Sequence, residues 1–166
     1  MDKILIIGCS CSGKSTLARA LGEKLGIPVI HLDQLWWKPG WENVTREEFD
    51  SRLHLAMNMD KWIMDGNYNR TLPQRIEKCD TIIYLDFGRR ECLRGMFQRV
   101  LGSYGKVRPD MAPGCPERFD WDFIKWIWNF NRDHRDMNYG YIARAKHAKT
   151  IVLKSRKEVK TFLQSL

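Results

Sequence analysis

Gly8-Cys9-Ser10-Cys11-Ser12-Gly13-Lys14-Ser15, followed by Thr16, has the spacing G-x-x-x-x-G-K-S, and its reading decides the fold. Ile4-Leu5-Ile6-Ile7 runs into the first glycine and predicts a buried strand. Leu17, Ala18 and Leu21 follow at helical spacing. Strand, glycine-rich turn and helix together are the context of a phosphate-binding loop. Gly8 and Gly13 let the backbone close around a phosphate where a Cβ would obstruct it. Loop amides and the helix N-terminus supply partial positive charge. Residues Gly8 to Thr16 are therefore candidates for holding ATP. Lys14 is placed to reach the β- and γ-phosphates, and the Ser15 hydroxyl to ligate Mg²⁺.

Outward from the loop, strands alternate with helices. Further strands are predicted at 29–32, 61–65, 81–86 and 150–153. Helices are predicted from 14 to Leu25, 45–59, 90–101, 117–138 and 157–166, with 33–44 and 102–116 as loops. Thr45-Arg46-Glu47-Glu48 reads as a capping box. This alternation predicts an α/β fold with a parallel sheet and helices on both faces. Ligands in such sheets sit at the carboxyl ends of strands. Asp33, Asp65 and Asp86 all fall there. Asp65 or Asp86 suits the Mg²⁺ shell that phosphoryl transfer requires. Asp33 is a candidate for positioning the hydroxyl of an acceptor.

The chain of 166 residues has one domain's length. It contains no run of 18 apolar residues, so no membrane span is expected. Nor does it open with a basic region before an apolar segment, so no secretory signal is expected. Its five cysteines form no C-x-x-C pair, which argues against zinc and a disulfide framework and for a reducing, cytoplasmic setting. Charge is unevenly placed. Residues 1–87 carry 11 basic and 12 acidic side chains, and residues 88–157 carry 16 and 7. A basic second half fits nucleic acid or a polyanionic substrate. Arg94 and Arg99 lie on one helix of this half, and Arg132 and Arg135 share a face of the next. Two arginine-bearing helices joined by a Gly/Pro-rich loop suggest a lid within 88–138 that neutralises a transferring phosphoryl group. Trp36, Trp37 and Trp41 crowd a loop beside the expected substrate site, where they can wall a pocket or stack on a base. The later aromatic stripe from Phe119 to Phe130 reads as core or lid packing. His31 reads as a hydrogen-bonded structural residue.

With these residues in hand, the chain resembles adenylate kinase and its relatives. Their Asp-Gly-Phe-Pro-Arg segment is similar to Asp65-Gly66-Asn67-Tyr68-Asn69-Arg70, with one residue inserted before the arginine. The resemblance implies that Asp65 lies near Mg²⁺ and that Arg70 binds an acceptor phosphate. Nearly all of the chain resembles the small topology modulation or FlaR-like P-loop proteins, through His31-Leu32-Asp33, Trp37-Lys38-Pro39-Gly40-Trp41 and Asp65-Gly66-Asn67-Tyr68. It implies a five-stranded core in the order 2-3-1-4-5. No threonine- and arginine-bearing AMP segment precedes the third strand. His31-Leu32-Asp33 is also similar to the segment by which shikimate and gluconate kinases hold an acceptor hydroxyl. The expectation is a single-domain kinase passing the γ-phosphoryl group of ATP to a small acceptor, foremost a nucleotide or nucleoside. Its catalytic group would comprise Lys14, Asp33, Arg94, Arg132 and Arg135. Asp33, Trp37, Asp65 and Arg70 would bind the acceptor, and Ser15 and Asp65 the metal. The alternatives are an ATP-binding, DNA-associated regulator and a kinase acting on polynucleotide ends.

Overall fold

The computed structural model describes all residues, 1–166. Strands β1 (Lys3–Gly8), β2 (Val29–His31), β5 (Trp62–Asp65), β6 (Thr81–Leu85) and β7 (Lys149–Leu153) form one parallel sheet in the order β2-β5-β1-β6-β7. Numbered among themselves, these five strands stand in the expected order 2-3-1-4-5. β1 is central, pairing Ile6 with Asp65 on one side and with Ile83 on the other. Its alternation divides the core between the sheet's two faces. Ile4 and Ile6 enter a cluster with Leu17, Leu21, Ile83 and Ile127, whereas Leu5 and Ile7 enter another with Phe49, Trp62, Ile76 and Tyr84.

Helix α1 (Lys14–Leu25) follows β1 directly, and the left-handed Gly26 ends it. Helix α3 (Arg46–Met57) starts as its capping box predicts, the Thr45 hydroxyl accepting from the Glu48 N–H at 3.1 Å. Three regions depart from expectation. The segment after β2 is not loop throughout: it holds a short helix, α2 (Leu32–Trp36), and an antiparallel ribbon of β3 (Trp37–Lys38) with β4 (Glu42–Asn43). Helix α4 (Leu72–Lys78) is unforeseen, because Pro73 looks like a breaker but occupies the first turn, where no N–H is needed. Helix α6 (Trp121–Arg144) begins later and ends later than predicted, since Asp120 caps the N–H groups of Asp122 and Phe123. Helix α5 (Arg89–Ser103) lies beside α6, and α7 (Arg156–Gln164) closes the chain.

At ~1.5 Å per residue, α6 is about 36 Å long and reaches across both layers. Ile127 and Phe130 belong to the first cluster, while Tyr139 and Ile142 pack against the second. No helix is long and apolar enough to cross a membrane.

Candidate active site

The loop after β1 follows from its residues. Gly8 has φ 143°, and a Cβ there would meet the Leu85 carbonyl oxygen at 2.5 Å, so only glycine lets the loop leave between β1 and β6. Gly13 caps α1 in the left-handed region. The buried Lys14 amine donates to the Cys9 carbonyl at 2.8 Å, at the centre of the loop. The Ser12 hydroxyl is buried and has no partner.

A cavity of about 530 Å³ opens beside this loop, at the carboxyl ends of β2 and β5. Ser10, Cys11, Lys14 and Ser15 form its floor, and Asp33 and Asp65 form one wall. Asp65 joins two elements: one carboxylate oxygen accepts from the Ser15 hydroxyl at 2.6 Å and the other meets His31 Nδ1 at 2.5 Å. His31 is thus a buried positioning partner, as its strand-end place suggested. Asp86 is engaged elsewhere, with Arg135 at 2.7 Å and the Tyr139 hydroxyl at 2.8 Å. Of the two strand-end carboxylates considered for the metal shell, Asp65 is therefore the one at Ser15.

Asp33 accepts from the Tyr68 hydroxyl at 2.6 Å. Burial pushes the Asp33 carboxyl above its usual range, and the nearby Asp65 charge adds to this against the opposing Tyr68 hydrogen bond. Burial likewise pushes the Tyr68 phenol up. Tyr68 is held in turn by Arg75, a fully buried arginine on α4 that donates to the carbonyls of Gly66, Asn67 and Tyr68. Burial lowers the pKa of Arg75 to about 9. One arginine thereby satisfies three carbonyls of the turn that follows Asp65.

The opposite wall comes from far along the chain. The segment between α5 and α6 docks on the β3–β4 ribbon. The Gly40 N–H donates to the Gly114 carbonyl at 2.9 Å, Trp41 Nε1 to Pro116 at 3.2 Å, and Gln34 Nε2 to Pro109 at 2.7 Å. This clasp brings Asp110 to the α1 side of the cavity. Burial opposes its charge, yet the Arg108 guanidinium holds its carboxyl below the usual range. Trp36, Trp37 and Trp41 all line the cavity, as do Phe123 and Trp126 from α6. Cys11, Trp41 and Tyr68, the non-glycine residues with positive φ, all line it too. Backbone strain of this kind collects at functional sites.

Four residues expected at the site lie elsewhere. Arg70 pairs with Asp50 on the surface at 2.5 Å, because the inserted residue starts a 3-10 turn that carries it outward. Arg94 is exposed on the outer side of α5. Arg132 pairs with its neighbour Asp133 in solvent, and Arg135 with Asp86, both beyond the cavity on α6. The arginines in the wall are Arg99, Arg108 and Arg118. Arg99 stands five residues from Arg94, and that helical phase turns it inward. Arg108, Asp110 and Glu117 sit in an irregular segment with no local signal. Thr16 lies outside the main cavity, in a smaller hollow of about 160 Å³ with Ser12, Gly13 and Arg156. A signal for Arg156 existed: Ser155-Arg156-Lys157-Glu158 is a capping box that puts Arg156 at the first position of α7.

The fold recurs in solved kinases. Shikimate kinase from Acinetobacter baumannii, solved in complex with shikimate, is 13% identical with a TM-score of 0.63, over 99% of this chain and 90% of that one. Shikimate kinase from Bacteroides thetaiotaomicron is 15% identical with a TM-score of 0.56, over 98% and 94%. A gluconokinase from Sinorhizobium meliloti 1021 is 14% identical with a TM-score of 0.53, over 99% and 92%. At such identities the likeness shows the P-loop α/β fold. No curated protein matches the sequence. Residues 4–100, which contain the phosphate-binding loop, α1, Asp33 and Asp65, match the family described as AAA domain, and to that family the chain belongs.

Proposed function

We propose that the protein is an ATP-dependent phosphotransferase that phosphorylates a hydroxyl of a small acceptor, foremost a nucleotide or nucleoside. One observation carries this reading: a single cavity contains Lys14 and Ser15 of the phosphate-binding loop together with Asp33 and Asp65. The residues present suit the donor. The unpartnered Ser12 hydroxyl, the left-handed Cys11 and Gly13, and Lys14 at the loop's centre make a cradle for phosphate oxygens. The donor's nucleoside fits the smaller hollow by Thr16 and Arg156, on the far side of the loop. Ser15 and Asp65 would hold Mg²⁺, which neutralises charge on the transferring phosphates when bound.

Lys14 then fixes the terminal phosphates. Asp33 orients the acceptor hydroxyl and takes up its proton as that oxygen attacks the γ-phosphorus, whose bond to the bridging oxygen breaks so that ADP leaves. A carboxyl raised by burial is the better base for this task. Tyr68, anchored by Arg75, keeps Asp33 in place. Residues 88–138 serve as a lid on one domain spanning 1–166, and the clasp at Gly40 and Trp41 keeps water from the phosphates. A place within the topology modulation group of P-loop kinases belongs to the same proposal. His31, Asp33, Trp37 and Asp65, the residues that carry that resemblance, meet at the cavity or directly behind it.

Incubation with ATP and Mg²⁺ across a panel of nucleosides, nucleotides and hydroxy acids, read by mass spectrometry, tests the proposal. Transfer to at least one acceptor, abolished in Lys14→Ala, is expected. ATP hydrolysis with no phosphorylated acceptor, at a rate that every panel member leaves unchanged, would overturn it.

A further inference from the structure

From the charge balance of the cavity we infer that the acceptor is an uncharged alcohol with a flat, unsaturated ring system: a nucleoside rather than a nucleotide or a carboxylic acid. The inference rests on the phosphotransferase reading and narrows it.

Every cation in the acceptor wall already has a carboxylate. Arg99 meets Glu117 at 3.1 Å through two of its nitrogens. Arg108 meets Glu117 at 2.8 Å and Asp110 at 2.6 Å. Arg118 faces Asp120 at 3.8 Å while its guanidinium covers the Trp41 ring at 5.1 Å. Glu117 and Asp110 are themselves buried, so the Arg99 and Arg108 pairs shift only at the cost of stranding a charge, whereas the Arg118 pair lies exposed. Lys14 belongs to the phosphate loop, and Arg70, the candidate for an acceptor phosphate, is paired with Asp50 outside the cavity. On the acid side, Asp33 has no cationic partner: the Tyr68 hydroxyl meets one of its oxygens. An anionic acceptor would meet no cation free of a carboxylate, only the exposed Arg118 held loosely at 3.8 Å by Asp120, and would face the charge of Asp33. A neutral alcohol meets Asp33 as a hydrogen-bond acceptor.

The ring system follows from the remaining wall. Trp36, Trp37 and Trp41 stand on the ribbon side, with Phe123 and Trp126 on the α6 side. Trp37 and Trp41 brace one another edge to face at 5.4 Å, and Phe123 and Trp126 lie parallel, 6.1 Å between centroids. A lining this rich in aromatic side chains receives a planar guest better than a puckered polyol.

The test compares kcat/KM, with saturating ATP and Mg²⁺, for nucleosides, their 5′-monophosphates and a hydroxy acid such as shikimate, alongside calorimetric ATP binding. A nucleoside is expected to be favoured over its own monophosphate by ~100-fold or more. Trp41→Ala should raise the nucleoside KM and leave ATP affinity unchanged. Asp120→Asn keeps a helix-capping side chain but releases Arg118, and should improve monophosphate use roughly tenfold, the worth of one charge-assisted hydrogen bond. Preference for a monophosphate or the hydroxy acid overturns the uncharged acceptor and leaves the phosphotransferase standing. ATP binding without transfer to any acceptor, or no ATP binding at all, removes both.

Discussion

The two walls of the cavity are built in opposite ways. The loop, which forms the floor and is the proposed donor wall, is one continuous stretch, Gly8 to Ser15, leaving the central strand and entering α1. Its phosphate-binding groups are largely backbone amides, oriented by two glycines and a helix terminus. The acceptor wall is gathered from α2 and the ribbon, from the segment between α5 and α6, and from the first turns of α6. Its groups are side chains, several of them aimed by partners further along the sequence. Arg108, for example, meets Glu117 nine positions on, and Trp41 donates to Pro116. On the proposed function, phosphate recognition is therefore a local property of this chain, whereas acceptor recognition is a tertiary one.

The sharpest way to break the comparison is Lys14→Ala. The substitution should lower phosphoryl transfer about 100- to 1000-fold, as loss of a charge-stabilising donor does. Folding stability should change by only about 1 kcal/mol, because Lys14 meets a loop carbonyl and not the apolar core. Steady-state kinetics and thermal unfolding on one preparation measure both, and a folded variant with full turnover would detach the loop from catalysis.

Asp33→Asn probes the acceptor wall alone. The rate with saturating ATP should fall by about 100-fold while ATP affinity holds, since the loss falls on proton transfer. Stability should not suffer at pH 7. Folding raises the Asp33 pKa, so it disfavours the charged form, and the wild type gains stability as pH falls through the folded value. Asparagine removes that dependence and still accepts from Tyr68. A variant with weakened ATP binding and an intact rate would move Asp33 to the donor side.

Gly95→Ala asks whether the walls are mechanically independent. Alanine in an exposed helix interior would gain about 1 kcal/mol over glycine. Here a Cβ would meet the Cys11 carbonyl oxygen at 2.3 Å, so α5 would push on the phosphate loop. Net destabilisation of about 1–2 kcal/mol is expected, with ATP affinity reduced several-fold. Calorimetric titration checks it, and unchanged affinity would mean that α5 yields without disturbing the loop.

The smallest effects belong to the ion pairs outside the cavity. Burial opposes the Asp86 charge, but the Arg135 guanidinium and Tyr139 hydroxyl outweigh it and hold the carboxyl below its usual range. Its stabilising contribution is complete above the unfolded pKa of about 3.9 and is lost as pH falls through the lower folded value. Arg135 is half exposed, so the contribution is about 1 kcal/mol. Asp86→Asn should flatten acid unfolding in that window, followed by circular dichroism. Arg132→Ala should change neither kcat nor melting temperature, because its partner is the adjacent, solvent-exposed Asp133. A tenfold fall in kcat would show that the lid moves Arg132 onto the phosphates.

Much of the fold was legible from residues 3–21 alone. An apolar run, a glycine turn and an amphipathic helix have one arrangement that buries the run and leaves the turn at a strand end. Asp33 and Asp65 were legible for the same reason, since strand ends can be counted along the chain. The sequence could not say which arginines face the cavity. Arg94 and Arg99 read alike as letters, and only the packing of α5 on α6 turns Arg99 toward Phe123, 5.0 Å beneath its guanidinium. Asp110 and Glu117 read as solvated charges in a Gly/Pro-rich loop until the clasp on the tryptophan ribbon buries them. Backbone chemistry is written in local spacing, so the sequence by itself determined the loop that the proposed function assigns to phosphate. The charge and shape that meet the acceptor depend on which distant side chains neutralise one another, and only the tertiary structure decided that.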